Sequence, residues 1–462
     1  MDPNAILVIL MFSTFIVFLL SGFQVPWVLG GVAVIFTVVG YFADLYLGTM
    51  TGLGIQTLGM FANRLYSYVD NWVLVSVPMF IFMGLMLDRS GVAEEMMLTM
   101  QYLFGRLHGG IAVTVAVTGI ILAASTGIIG ASVVLLGLIS LPVMSKAGYD
   151  RSFASGTVCA AGCLGILIPP SIMLIVMGDN LGVSIGDLFM GAIFPGLILG
   201  MLYVVFILIY CSIFPEKAPA SSEGFSFSWR NMYGVFKALL PPVILVIVVL
   251  GSISFGVAAP TEASAFGAMG TTVIALFKGK LTGNALKDVT YETFKIVGYI
   301  FGIFFGATAF ALVLRLIGGD EVIERSISAM PFGAYGVVIL IIGIVFILGF
   351  FLDWIEITLI VLPILGPIVA DLNLNIEGYG VVTDPSLVWF VLLVALTLQT
   401  SFLTPPMGFA LFYLKGVCPP EIRFVDMCKG IIPYLILQII TIIIVLIWPS
   451  LTTWLPAVVY NR

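Results

Sequence analysis

Asp353 and Glu356 stand three residues apart in Gly349-Phe350-Phe351-Leu352-Asp353-Trp354-Ile355-Glu356, a stretch that interrupts an apolar run from 333 to 370. A carboxylate at the centre of a membrane costs roughly 2.5 to 3.5 kcal/mol even on lenient insertion scales, so it is read first as functional. Three roles are open to the pair: holding a cation, capping a broken helix, or carrying a proton. Asp353 is placed near a cation, and Glu356 stays open among the three. A second apolar run, 109–144, is interrupted at Ser125-Thr126-Gly127 and offers hydroxyls instead of charge. Two double prolines complete the set, Gly165-Ile166-Leu167-Ile168-Pro169-Pro170-Ser171 and Ser401-Phe402-Leu403-Thr404-Pro405-Pro406-Met407. Proline lacks the amide hydrogen and clashes with the preceding turn, so each pair breaks a membrane-length helix. Carbonyls freed there are tolerable only against protein or a water-filled cavity.

Each interruption has a break to face. The first sets Ser125, Thr126 and Gly127 against Gly162, Leu164 and Gly165; the second sets Gly349 and Asp353 against Thr400, Ser401 and Thr404. Carbonyl and hydroxyl oxygens in such a cage replace the water shell of a small hard cation, while half-helix amino ends attract an anion between them. That chemistry is cation-coupled carriage of an organic anion. Ser125, Thr126, Gly127, Ser171, Trp354, Glu356, Gln399 and Thr404 are the candidate substrate contacts. For any one hydroxyl the alternative is a hydrogen bond across packed helices. Glu262 follows Pro260-Thr261 as an acid in a first helical turn, which reads as capping. Arg315 either meets a substrate carboxylate or snorkels at an outer helix end.

The elements that must position these residues are membrane helices. Of 462 residues, 61% are hydrophobic and 9% charged, where a soluble domain carries about 25% charge. Apolar runs of about 18 or more residues recur along nearly the whole chain, leaving no room for a soluble domain. The run from 5 to 20 has no basic residue before it and a second span follows, so it reads as a retained helix and not a signal peptide. The segment 46–68 reads as interfacial, and 89–108 as a polar linker. Both interrupted runs are too short for two full crossings and read as re-entrant hairpins.

The plan repeats. Leu141-Pro142 answers Leu362-Pro363 before the double prolines, and Gly182-Val183 with Pro195 answers Gly416-Val417 with Pro433 after them. The loops holding Lys146 and Arg151, Lys217 to Lys237, Lys278 to Lys295, and Lys415 to Lys429 are basic and belong in the cytoplasm. Segments 178–190 and 371–385 contain acids without lysine or arginine and belong outside. The first hairpin then opens inward and the second outward. The expected fold is an all-α polytopic membrane protein with two inverted repeats, each a re-entrant hairpin and a broken helix. Its parts are scaffold helices over 1–108, a first transport half over 109–191, scaffold over 192–332, a second transport half over 333–430, and a last scaffold helix over 431–462. A lone His108 with no nucleophile spaced to pair with it argues against an enzyme. Cys159 and Cys163, on one helix face without further ligands, read as small packing residues and not a zinc site.

Gly148-Tyr149-Asp150-Arg151, the first double-proline stretch from Gly162 to Ser171, Pro260-Thr261-Glu262-Ala263, and Leu403-Thr404-Pro405-Pro406-Met407-Gly408 form an ordered set. Together they resemble the large membrane (M) subunit of tripartite ATP-independent periplasmic (TRAP) transporters, across nearly the entire chain. The resemblance implies a sodium-driven importer of organic acids in the bacterial inner membrane, with an elevator motion and an ion-transporter-superfamily-like fold. It also implies a periplasmic substrate-binding protein and a small membrane (Q) subunit as partners, the latter as a separate chain because this one begins directly with the large subunit. Nucleic acid has no part. Carried over by position, one sodium site uses Ser125 with the backbone of Gly162, Leu164 and Gly165. The other uses Gly349, Asp353, Thr400, Ser401 and Thr404. The chain departs from the usual pattern at Trp354, Glu356 and Thr397. A proton-coupled carrier using Asp353 and Glu356 is the nearest rival, and a channel the more distant one, since no ring-forming filter sequence is visible.

Overall fold

The computed structural model describes residues 3–104, 107–126, 129–220, 229–328, 330–372, 374–378 and 384–460, which are all helix and connecting turn. In chain order the helices are α1 (Pro3–Leu20), α2 (Val25–Leu47), α3 (Ile55–Val69), α4 (Ser76–Arg89), α5 (Val92–Phe104), α6 (Gly110–Thr126) and α7 (Ile129–Lys146). There follow α8 (Arg151–Cys163), α9 (Ile172–Leu181), α10 (Ile185–Ile213), α11 (Trp229–Ser254), α12 (Pro260–Phe277), α13 (Gly283–Leu316) and α14 (Gly319–Ser328). The last group is α15 (Ala334–Leu348), α16 (Trp354–Glu356), α17 (Leu362–Asp371), α18 (Pro385–Leu403), α19 (Phe409–Lys415), α20 (Phe424–Ile447) and α21 (Ser450–Tyr460). Among the described residues nine helices are long and apolar enough to cross a membrane.

Helix starts follow local chemistry. The Asp150 carboxylate accepts from Phe153 N at 3.0 Å to open α8, Thr282 Oγ1 accepts from Ala285 N at 3.1 Å to open α13, and Asp384 accepts from Leu387 N at 3.2 Å to open α18. Glu262 caps as expected: its Oε2 accepts from Ala259 N at 2.8 Å, three residues back, before α12. The segment read as a polar linker contains a regular helix instead. In α5, Val92, Ala93, Met96, Met97 and Met100 recur at helical spacing and are buried, while Glu94 and Glu95 occupy its first turn. Before it, α3 and the stretch Val73–Arg89 meet at a 57° bend.

The packing divides into two groups of helices. In one, α2 lies on α13 and α4 on α12, with α3 held to α13 by Tyr68 stacked on Phe304 at 5.5 Å. In the other, α8 crosses α20 at a point where only glycine fits: a β-carbon on Gly430 would collide with the Ser152 carbonyl, and one on Gly156 with the Gly430 carbonyl. Beside that crossing the Tyr434 hydroxyl lies 2.6 Å from Thr157 Oγ1, which donates to the Phe153 carbonyl at 2.8 Å. Gln438 Nε2 donates to the Tyr203 hydroxyl at 2.9 Å and joins α20 to α10. The interrupted runs flank this group. Helices α6 and α7 pack on each other and on α8; α15 and α17 each pack on α18. The short helices after the breaks cross over, α9 packing on α17 and α18, and α19 on α7 and α8.

Candidate functional site

Both double prolines break a helix where their chemistry requires it. Helix α8 ends at Cys163, tightens into a single 3₁₀ turn over Leu164–Ile166, and resumes as α9 after Pro169 and Pro170. Helix α18 ends at Leu403 and resumes as α19 after Pro405 and Pro406. Both Pro-Pro bonds are cis. Ser171 is used locally in the first break, donating to the Ile166 carbonyl and accepting from Leu174 N at 3.5 Å as the cap of α9. Gly408 takes φ +44° at the start of α19, a left-handed conformation that favours glycine.

At the first break, Gly162 lies directly against Val133 of α7, with room for no side chain between them. Gly162, Leu164 and Gly165 are thus brought onto the second arm of the first interrupted run, and all are buried. The side chains of Ser125 and Thr126, at the end of α6, and the whole of Gly127 lie outside the described residues. Upstream on α6, Thr118 is fully buried and its hydroxyl has no hydrogen-bond partner among the described residues.

At the second break the contact is reversed in kind: Gly349, on the interrupted run, lies against Ser401 of α18. The Ser401 hydroxyl is 3.0 Å from the carbonyls of both Phe346 and Thr397, so it ties α18 to α15. Thr400 and Thr404 donate one turn back, to Leu396 and Thr400 carbonyls at 2.9 and 2.8 Å. Their hydroxyl lone pairs remain available to a cation. Asp353 begins α16, its Oδ1 accepting from Trp354 N at 2.8 Å. One of the three roles left open for it, capping a broken helix, is therefore present, and its second carboxyl oxygen is not engaged in that cap. A π-helical turn, Ile357–Val361, follows directly and packs on α13. Such turns frequently mark functional positions.

Two buried side chains near this break are incompletely satisfied in a way that matters chemically. Gln399 is fully buried and, among the described residues, neither amide atom has a hydrogen-bond partner; Glu356 is fully buried and its carboxyl is approached by the backbone amides of Asp353 and of Glu356 itself, with no side-chain partner among the described residues. Leaving a buried polar group unpaired costs about 1–3 kcal/mol, more for a charge, so such groups persist where something else satisfies them. The sequence singled out Glu356 and Gln399 but not two tyrosines that face the same carboxylates. Tyr299 of α13 and Tyr413 of α19 both lie within electrostatic range of Asp353 and Glu356. The Tyr413 ring also covers Gly130, from which a β-carbon would be 3.4 Å away, and so reaches the beginning of α7. No local pattern marks these tyrosines, because their partners are far away in sequence. Arg315 pairs with Asp320, Nε to Oδ2 at 3.1 Å, at the end of α13. Cys159 and Cys163 are both fully buried in the helix-packed core.

An all-helical membrane chain with two broken helices, each set against an interrupted apolar run, has known relatives. The chain is 27% identical over 396 residues to the C4-dicarboxylate TRAP transporter large permease protein DctM of Pseudomonas aeruginosa, covering 86% of this chain and 88% of that one. It is 27% identical over 437 residues to the isethionate TRAP transporter permease protein DctMQ of Oleidesulfovibrio alaskensis, covering 93% of this chain and 65% of that longer protein. Its fold is similar to the crystal structure of the Alcanivorax borkumensis YdaH transporter, with a TM-score of 0.52 at 13% identity over 83% of this chain and 88% of that one. Residues 12–451 match the family described as "Tripartite ATP-independent periplasmic transporter, DctM component". The chain belongs to this family, as a large permease subunit of the multi-pass membrane type.

Proposed function

We propose that this chain imports a small organic acid together with sodium across the bacterial inner membrane, receiving the acid from a periplasmic binding protein and working with a smaller membrane subunit. The observation that carries the reading is the set of buried, incompletely satisfied polar groups at the second break. Gln399 lacks a partner among the described residues, the buried Glu356 carboxyl has no side-chain partner there, and Asp353 lies three residues from Glu356. Relatives named for a C4-dicarboxylate and for isethionate support an acid as cargo. One sodium ion is bound by Ser125 and the backbone of Gly162, Leu164 and Gly165. The other is bound by Gly349, Asp353, Thr400, Ser401 and Thr404. The acid lies between them, against Thr126, Gly127, Ser171, Trp354, Glu356, Gln399 and Thr404.

The two halves form inverted repeats whose interrupted runs are re-entrant hairpins, a reading supported by the crossed packing of α9 and α19. The helices that move together are α6 to α10 and α15 to α20. This departs from the expected division, which put most of α10 and α20 in the scaffold; including them in the moving body is supported by the Gly156–Gly430 crossing and the Gln438–Tyr203 bond, which hold them to the broken helices. The group built on α2, α4, α12 and α13 stays fixed, and an elevator displacement carries the site past it.

The test is uptake in proteoliposomes holding the complete three-part system, using the radiolabelled acid that the binding protein encoded beside this chain retains on purification. Replacing sodium by choline should abolish uptake; undiminished uptake in choline overturns sodium coupling. Proton coupling is the second reading, favoured by the full burial of the Glu356 carboxyl three residues from Asp353. Uptake driven by an inward proton gradient in choline would establish it.

A further inference from the structure

Asn71 and Asp179 are 108 residues apart and meet where the two groups of helices adjoin. Asn71 Nδ2 lies 3.0 Å from Asp179 Oδ1 and 2.8 Å from Oδ2. The asparagine is held in that orientation, because its Oδ1 accepts from Val73 N at 2.9 Å and leaves the amide nitrogen to face the carboxylate. Its backbone sits in the bend between α3 and α4, which belongs to the group anchored on α13 by the Tyr68–Phe304 stack. Asp179 lies in the last turn of α9, directly after the first broken helix. The pair therefore bridges the two groups. A second side-chain contact nearby, from Ser254 Oγ of α11, which packs on α12, to Met190 Sδ of α10 at 3.2 Å, has a weak acceptor.

The seam around the pair is open. A cleft of about 660 Å³ beside the pair is lined by Trp72, Val73, Gly178, Asp179, Val183 and Ser184. Loop charge assigns this side to the outside. A charge-assisted hydrogen bond beside an open cleft is well placed to hold two bodies in one relative position and to exchange for water when they slide.

We infer that Asn71 and Asp179 form a latch that holds the turn between α9 and α10 against the bend between α3 and α4 in one transport state and is released in the other. The latch rests on the elevator reading above and adds to it a specific contact that biases the equilibrium between states. A hydrogen bond to a charged group is worth enough to shift such an equilibrium by about tenfold.

Two measurements on the assembled complex test it. The first uses Val183→Cys, within the cleft, in right-side-out vesicles treated with a membrane-impermeant maleimide. Asn71→Ala and Asp179→Ala should each change the labelling rate of Val183→Cys by about tenfold and in the same direction, and the double variant by no more than either alone. Unchanged rates, or effects that multiply in the double variant, overturn the latch. The exchanged pair Asn71→Asp with Asp179→Asn keeps one donor opposite one carboxylate and should return the rate to that of the parent, which separates loss of the bond from damage to the fold. The second measurement joins Asn71→Cys to Asp179→Cys with a two-carbon bis-thiosulfonate and repeats the uptake assay. Cross-linking should abolish uptake, and a reductant that removes the spacer should restore it. Failure to cross-link overturns the latch and leaves the elevator reading standing. Full cross-linking with undiminished uptake overturns the elevator reading and the latch with it.

Discussion

Gly349 and Ser401 approach so closely that a β-carbon on the glycine would fall 2.7 Å from both Cβ and Oγ of the serine. This contact presses the tip of the second interrupted run onto the broken helix α18. Any side chain at 349 must push the two apart, and Ser401 sits where its hydroxyl also bonds α15. Gly349→Ala should therefore raise the sodium concentration for half-maximal uptake by about tenfold or more while the complex still assembles. A sodium titration of uptake, with size-exclusion chromatography as the assembly control, checks it. An unchanged half-saturation point would remove Gly349 from the cation site.

Glu356 and Gln399 give a prediction in which stability and function move in opposite directions. Gln399 carries buried amide atoms without partners among the described residues, and Glu356 a buried carboxyl approached by two backbone amides and no side chain, so replacing them by less polar groups relieves a desolvation cost of about 1–3 kcal/mol. Glu356→Gln and Gln399→Leu should raise the melting temperature of the purified complex and lower uptake at least tenfold. A fall in melting temperature with normal uptake would mean that these groups are satisfied inside the protein and serve the fold.

The α8–α20 crossing should be intolerant of a single methyl group. Gly430→Ala forces a β-carbon into the Ser152 carbonyl and should cost about 1–3 kcal/mol by overpacking. Gly343 of α15 has no atom within 4 Å of the position a β-carbon would take, so Gly343→Ala should leave stability unchanged or slightly raised. Thermal unfolding of the two variants side by side decides the point.

Tyr434→Phe removes the hydroxyl 2.6 Å from Thr157 Oγ1 and leaves the ring in place. Thr157 keeps its bond to the Phe153 carbonyl, so no buried group is orphaned. The expected loss is about 0.5–1.5 kcal/mol, against a larger loss for Tyr434→Ala, which also empties the fully buried ring position. Similar melting temperatures for the two variants would show that the ring contributes little.

Several features were readable in the chain because their causes are local. A proline pair removes amide hydrogens and collides with the turn before it, whatever surrounds it, and the helices end at Cys163 and Leu403 beside the two pairs. Glu262 follows Ala259 by three residues, and that spacing alone lets it cap α12. The apolar face of α5 was equally present at helical spacing. It was obscured by Arg89, Glu94, Glu95, Arg106 and His108, whose charges and polar groups made the segment look like a linker.

Composition, apolar run length and the paired prolines by themselves determined that this is a membrane bundle with two interrupted helices, since lipid demands internally satisfied backbone and proline denies it at defined places. Only the tertiary structure decided what meets at the breaks. Gly349 against Ser401, Tyr413 over Gly130, the burial of Glu356 and Gln399, and Asn71 on Asp179 all join or isolate residues through neighbours that are distant in the chain. Such contacts obey no spacing rule, because packing and burial depend on which helices come to lie side by side.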